Sequence, residues 1–157
     1  MLKISTKKSV MLSIVLSVAF FAIIIFCAII MPRLVNMLVG MVYTADGAKT
    51  ITDTGYTVVL VLSYMALVIM GMADVMLFNL LLRVRNGEVF TAKSVGLIRG
   101  VSWCAILLGM VFAVLVYYFR ISFLISFACV FLGICVRVVK NVIEQATEIK
   151  SEHDFTI

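Results

Sequence analysis

Charge is what this chain has least of. Only 13% of its 157 residues are Asp, Glu, Lys or Arg and 64% are apolar, where an ordinary soluble domain has about a quarter charged and about half apolar. That shortage excludes a water-soluble globule, and a mean hydropathy of +1.23 agrees. It also excludes a disordered chain, which needs low hydrophobicity and high net charge. Histidine occurs once, at His153, so no chemistry requiring two imidazoles can be assembled within one chain. Four cysteines are too sparse for a disulfide-stapled secreted module. Cys27, Cys104, Cys129 and Cys135 each fall in an apolar stretch, where thiols behave as small hydrophobes. Also missing are H-E-x-x-H, G-x-S-x-G, a Walker lysine loop, paired intramembrane carboxylates and a Ser/Lys dyad. The expectation is a non-enzymatic protein with no catalytic residues, no metal ligands and no cofactor.

What the chain has instead is long apolar runs. Residues 9–31 form an uncharged run of 23, about 34 Å as a helix, which exceeds the hydrocarbon core of about 30 Å. A signal peptide with Lys3, Lys7 and Lys8 as its basic region is the competing reading. It is disfavoured by the length of the run and by the lack of a small-x-small cleavage site after it. Further spans are expected at about 56–82, 100–119 and 121–139, the last short unless Arg137 and Lys140 snorkel. The fold class is therefore all-α, a single domain of four transmembrane helices over residues 1–157.

Pro32 is expected to interrupt or kink the first helix. The segment after it, Leu34 to Val42, reads equally as a short amphipathic interfacial helix or as an extension of the first span. Asn86-Gly87 supplies a left-handed helix stop. Thr91 suits an N-cap, with Phe90 and Val95 placed as a hydrophobic staple. Beyond the fourth span, Val138, Val139, Val142, Ile143, Ala146 and Ile149 recur at helical spacing opposite Lys140, Glu144 and Glu148. This predicts an amphipathic extension over 140–151 in which Lys140 pairs with Glu144.

The net charge of +5 is not a nucleic-acid footprint, because the basic residues sit at the ends of apolar runs. Counted by loop, Lys3, Lys7, Lys8, Arg83, Arg85, Lys93, Arg99, Arg137, Lys140 and Lys150 fall on one side. Only Arg33, Lys49 and Arg120 fall on the other. By the positive-inside rule both termini and the middle connector are cytoplasmic.

Asp74 is the one ionisable residue deep in a span. It is a candidate proton or cation site, because an ionised acid is expensive in lipid. The plainer reading gives it an interfacial position or a hydrogen bond to Ser or Thr on a neighbouring helix. Met65, Met72 and Met76 followed by Gly96 and Gly100 resemble, weakly, the Met and Gly motifs of eukaryotic-type copper(I) uptake channels. Packing is the ordinary use of such residues. Ala105, Gly109 and Ala113 make a small-residue stripe that lets another helix approach, within the bundle or in a homo-oligomer.

The connector Asn86-Gly87-Glu88-Val89-Phe90-Thr91, with Ser94 and Arg99, and the tail Glu152-His153-Asp154-Phe155-Thr156-Ile157 resemble the bacterial small-membrane-protein family known as domain of unknown function 2975. In that family the connector is of Gly-x-Pro-Phe-Thr type and the tail resembles Glu-Asn-Asp-Leu-Thr-Ile. Here Val89 replaces the Pro, while His153 and Phe155 replace Asn and Leu. The family has no established activity, but its genes often lie beside a very small helix-turn-helix regulator. The resemblance thus implies a bacterial inner-membrane protein whose cytoplasmic face, at Phe90, Thr91, Glu152, Asp154, Phe155, Thr156 and Ile157, meets such a regulator. Capping and docking of helices is the competing role for these motifs. Alternative functions are a small transporter or channel component for protons or a soft metal ion, or an immunity protein against membrane-active peptides.

Overall fold

A computed structural model of the chain describes residues 6–45, 51–86 and 91–154. They form four helices: α1 (Thr6–Ala45), α2 (Asp53–Arg85), α3 (Ala92–Leu115) and α4 (Ser122–Asp154). All four are long and apolar enough to cross a bilayer. This is an all-α, multi-pass membrane protein.

The helices pack in chain order, α1 on α2, α2 on α3 and α3 on α4, and the outer two do not close the row into a ring. The backbone of each outer helix therefore lies close to one neighbour only, and much of its surface is apolar and open. Leu16 and Ile29 on α1 and Phe127 and Leu132 on α4 are exposed, as a lipid-facing surface requires.

Pro32 does not end α1, which runs through it for 40 residues. A proline lacks the N–H that would bond the carbonyl four residues earlier. Here that carbonyl, on Ala28, accepts a hydrogen bond from Tyr64 Oη of α2 at 3.2 Å. The neighbouring helix thus restores the lost donor, which is how proline is tolerated inside membrane helices. Of the two readings of the segment after Pro32, extension of the first helix is the one observed. Val35 in that extension joins Val59, Leu115 and Phe119 in a buried cluster where α1, α2 and the end of α3 meet. Tyr118 packs against this cluster, whereas Tyr117 is exposed.

The α3–α4 pair is the tightest contact. Ser102 Oγ donates to Gly133 O at 2.8 Å and Ser126 Oγ donates to Gly109 O at 2.8 Å. Ser102 precedes Gly109, and Ser126 precedes Gly133, by the same seven residues, so the two antiparallel helices use one motif reciprocally. The glycines are needed for the close approach. A Cβ on Gly109 would lie 2.6 Å from Val130 Cγ2 and 3.2 Å from Ser126 O, and one on Gly133 would lie 2.8 Å from Ile106 Cγ1.

α3 starts at Ala92, directly after the expected N-cap Thr91, but stops at Leu115, short of the expected end of the span at 119, in a run of turns ending at Ile121. Asn86 caps α2 at φ −81°, ψ 0°, not left-handed, with its N–H shared between Leu82 O and Arg83 O at 3.1 Å each. Its partner in the expected stop, Gly87, lies outside the described residues. The fourth span and the amphipathic tail are one uninterrupted helix of 33 residues.

Candidate functional site

Asp74 lies in the half of the bundle toward the termini, on the face of α2 between α1 and α3. It is 6% exposed, and its Oδ1 accepts a hydrogen bond from Ser17 Oγ of α1 at 2.8 Å; Ser17 is itself buried. The backbones of α1 and α3 do not come into contact. α2 is therefore the floor of a groove whose walls are α1 around Ser13 to Phe20 and α3 around Val101 to Leu108. The groove encloses about 600 Å³, and a second cavity of about 250 Å³ adjoins it toward Phe78 and Asn79. Asp74 and Ser17 line both. No other residue lining either space is charged. A carboxylate has about four acceptor positions, and Ser17 fills one of them. The arrangement can hold a proton, or receive a donor or cation that enters the groove.

Met65, Met72 and Met76 do not line this groove. Met76 packs onto Gly100, where an added Cβ would lie 2.5 Å from the Met76 sulfur, while Met65 and Met72 are about half exposed. Gly96 has open space around it, so only one glycine of the Gly96/Gly100 pair serves a close contact. The Ala105–Gly109–Ala113 stripe is also divided: Gly109 meets α4, Ala105 lines the groove and Ala113 is exposed. Among the described residues no three His, Cys, Asp or Glu side chains gather as metal ligands.

At the termini-side end, Thr91 is the N-cap of α3. Its φ of −134° and ψ of 148° are extended, and its Oγ1 accepts the Ser94 N–H at 3.3 Å. Its carbonyl accepts from Val95 N at 3.1 Å. Val95 is buried, but its expected staple partner Phe90 lies outside the described residues. Nearby, Lys140 pairs with Glu144 as expected, and Arg99 Nη2 approaches Glu144 Oε1 at 3.5 Å from α3. Arg137 lies 5.1 Å above the Trp103 ring, a cation–π contact that holds a basic side chain against an aromatic plane at the end of the span.

Glu152 and Asp154 belong to the last turn of α4, and Phe155, Thr156 and Ile157 lie outside the described residues. The α3–α4 register puts the start of α3 level with Ile143. Asp154 then falls roughly 15 Å farther along the helix at 1.5 Å per residue. Thr91 and Asp154 are thus not at one level along the bundle, and Phe90 and Phe155 to Ile157 of the two motifs lie outside the described residues.

Ser17, the partner of Asp74, carries no pattern of its own in the sequence. The reciprocal serines and glycines of α3 and α4 do carry one, because Ser-x6-Gly occurs once in each of two successive spans.

No curated protein and no solved structure matches the chain. A family model matches residues 40–157, from the last turns of α1 through α2, α3 and α4 to the tail motif, so both stretches that carry the resemblance fall within the match. The chain belongs to the family described as protein of unknown function DUF2975.

Proposed function

We propose that this chain is a non-enzymatic regulatory membrane protein of the bacterial inner membrane that holds a small helix-turn-helix regulator at its cytoplasmic face. The single observation that supports the reading most is the reach of α4. The helix continues about three turns past the start of α3, with Val142 60% exposed where it emerges and Ile149 58% exposed farther along. Apolar residues on one side of a helix that has outrun its neighbour make an arm suited to a protein partner. The tail motif Glu152 to Ile157 follows at the end of that arm, and the charge asymmetry places it in the cytoplasm. The regulator itself comes from the family resemblance.

The test is affinity purification of the full chain from its native cells in detergent, tagged at the amino terminus, with mass spectrometry of what accompanies it. Recovery of a small helix-turn-helix protein in near-equal amount is the expected result. Deleting Glu152 to Ile157 should abolish that recovery without affecting membrane insertion. Retained binding after the deletion overturns the reading.

A second reading, a small transporter component, draws on the burial of Asp74. Of the three methionines at helical spacing on α2, none lines the groove beside Asp74 and Met76 packs on Gly100, so the carboxyl group points to a proton. Asp74→Asn in vesicles should then change proton flux, and an unchanged flux dismisses it.

A further inference from the structure

We propose that the groove between α1 and α3 is a binding site for a lipophilic organic cation, a protonated amine carried on an apolar body, with Asp74 as its counter-ion. The inference stands apart from the proposed regulator contact, because no residue of α4 lines the groove.

Size and lining set the ligand class. About 600 Å³ is within the range of small-molecule sites, and the walls are Leu, Ile, Phe, Val, Ala and Met70 apart from Ser13, Ser17, Asp74 and Cys104. Such a lining accepts an apolar body and rejects a highly hydrated one. The charge pattern sets the head. Asp74 is 94% buried by its 6% exposure, has Ser17 as its one hydrogen-bond partner among the described residues, and faces no basic side chain in either cavity. A buried carboxylate without a cation is costly, and a ligand ammonium group offsets that cost by a charge-assisted hydrogen bond.

Position sets the shape. Asp74 lines both cavities, so a nitrogen that reaches it keeps apolar space on either side. This favours an amine set within or beside a bulky hydrophobe. Access comes from the bilayer, since α1 and α3 are held apart and such amines partition into membranes. A hard metal ion is a poor occupant, because it needs six or more oxygen ligands and the two linings offer Asp74, Ser13, Ser17 and Asn79. A lipid acyl chain would fill the groove without using the carboxylate.

The test uses the full chain in detergent and a matched pair of fluorescent probes, 1-pyrenemethylamine and 1-pyrenemethanol, which share the apolar body and differ in charge. Trp103 is the only tryptophan and adjoins Cys104 in the groove wall, so energy transfer from Trp103 to pyrene reports occupancy. The amine should bind saturably and at least tenfold more tightly than the alcohol. Asp74→Asn should reduce the amine to the affinity of the alcohol. Ala105→Phe, which fills the opposite wall and leaves the Ser17–Asp74 pair intact, should abolish saturable binding of both. Equal binding of amine and alcohol by the native chain overturns the proposal, as does amine binding unchanged in Ala105→Phe. These two comparisons decide the matter even if Asp74→Asn does not accumulate as a folded protein.

Discussion

Ser17 on α1 and Asp74 on α2 are joined by a 2.8 Å hydrogen bond between two buried side chains, 57 residues apart in the chain. It is a polar link between the first helix and the rest of the bundle in the termini-side half. A helix that has one neighbour depends on such links, because between helices in lipid there is little hydrophobic driving force.

Ser17→Ala should therefore lower stability by about 0.6 to 1.7 kcal/mol, the range found for hydrogen bonds between membrane helices. The change should be read from unfolding in mixed micelles with increasing dodecyl sulfate. Asp74→Asn keeps an acceptor for the Ser17 hydroxyl and should be the milder of the two in this assay. A double-mutant cycle of Ser17→Ala with Asp74→Ala should show strong coupling; additivity would mean that the bond is not formed in the folded protein.

Tyr64→Phe removes the donor that replaces the missing amide of Pro32, leaving the Ala28 carbonyl without its partner. The expected loss is about 1 kcal/mol. In a Pro32→Ala background residue 32 regains its own N–H, so Tyr64→Phe should then have little effect. If Tyr64→Phe is equally damaging in both backgrounds, the tyrosine acts by packing alone.

Gly109→Val and Gly133→Val should each prevent the close approach of α3 and α4, since even a Cβ at either position falls within 3.3 Å of backbone atoms on the opposite helix. Overpacking of this kind costs about 1 to 3 kcal/mol. Ser102→Ala and Ser126→Ala remove a hydrogen bond but no space, and should be milder. Cysteine cross-linking between the two helices would show whether the register has shifted. A glycine variant that retains native cross-linking and stability would contradict the geometry.

Thr91→Ala should destabilise the start of α3 by about 1 kcal/mol through loss of its cap to the Ser94 amide, while Thr91→Ser should be nearly neutral. Amide exchange should accelerate at Ser94 and Val95 and leave the middle of α3 unchanged. If Thr91→Ala loses the regulator without faster exchange, the residue serves the partner instead of the helix.

Much of the architecture is legible in the sequence, for reasons that can be traced residue by residue. The Lys140–Glu144 pair and the Thr91 cap are contacts between residues four and three apart, so the helix period alone specifies them. Pro32 shows where such local reasoning stops. Its missing N–H argues for a break, and the donor that cancels the argument is Tyr64, 36 residues from the Ala28 carbonyl. The Met and small-residue stripes on α2 and α3 show the same limit from the other direction. Helical spacing puts Met72 with Met76, and Ala105 with Gly109, yet neighbours separate their roles: Met76 packs on Gly100 while Met72 is half exposed, and Gly109 meets α4 while Ala105 borders the groove.

The amino acids alone decide that the chain has four helices long and apolar enough to cross a membrane, and they carry the charge asymmetry from which an orientation is expected. Apolar transfer into lipid and the charge of loops are properties of contiguous segments and need no knowledge of neighbours. Tertiary structure alone decides that the backbone of α1 lies close only to that of α2, that Ser17 meets Asp74, and that the paired Ser-x6-Gly motifs engage reciprocally. Each of these depends on the register and spacing of helices distant in sequence. In lipid, that register is chosen by close packing and a few polar contacts, because the apolar character that marks the spans is the same on every face.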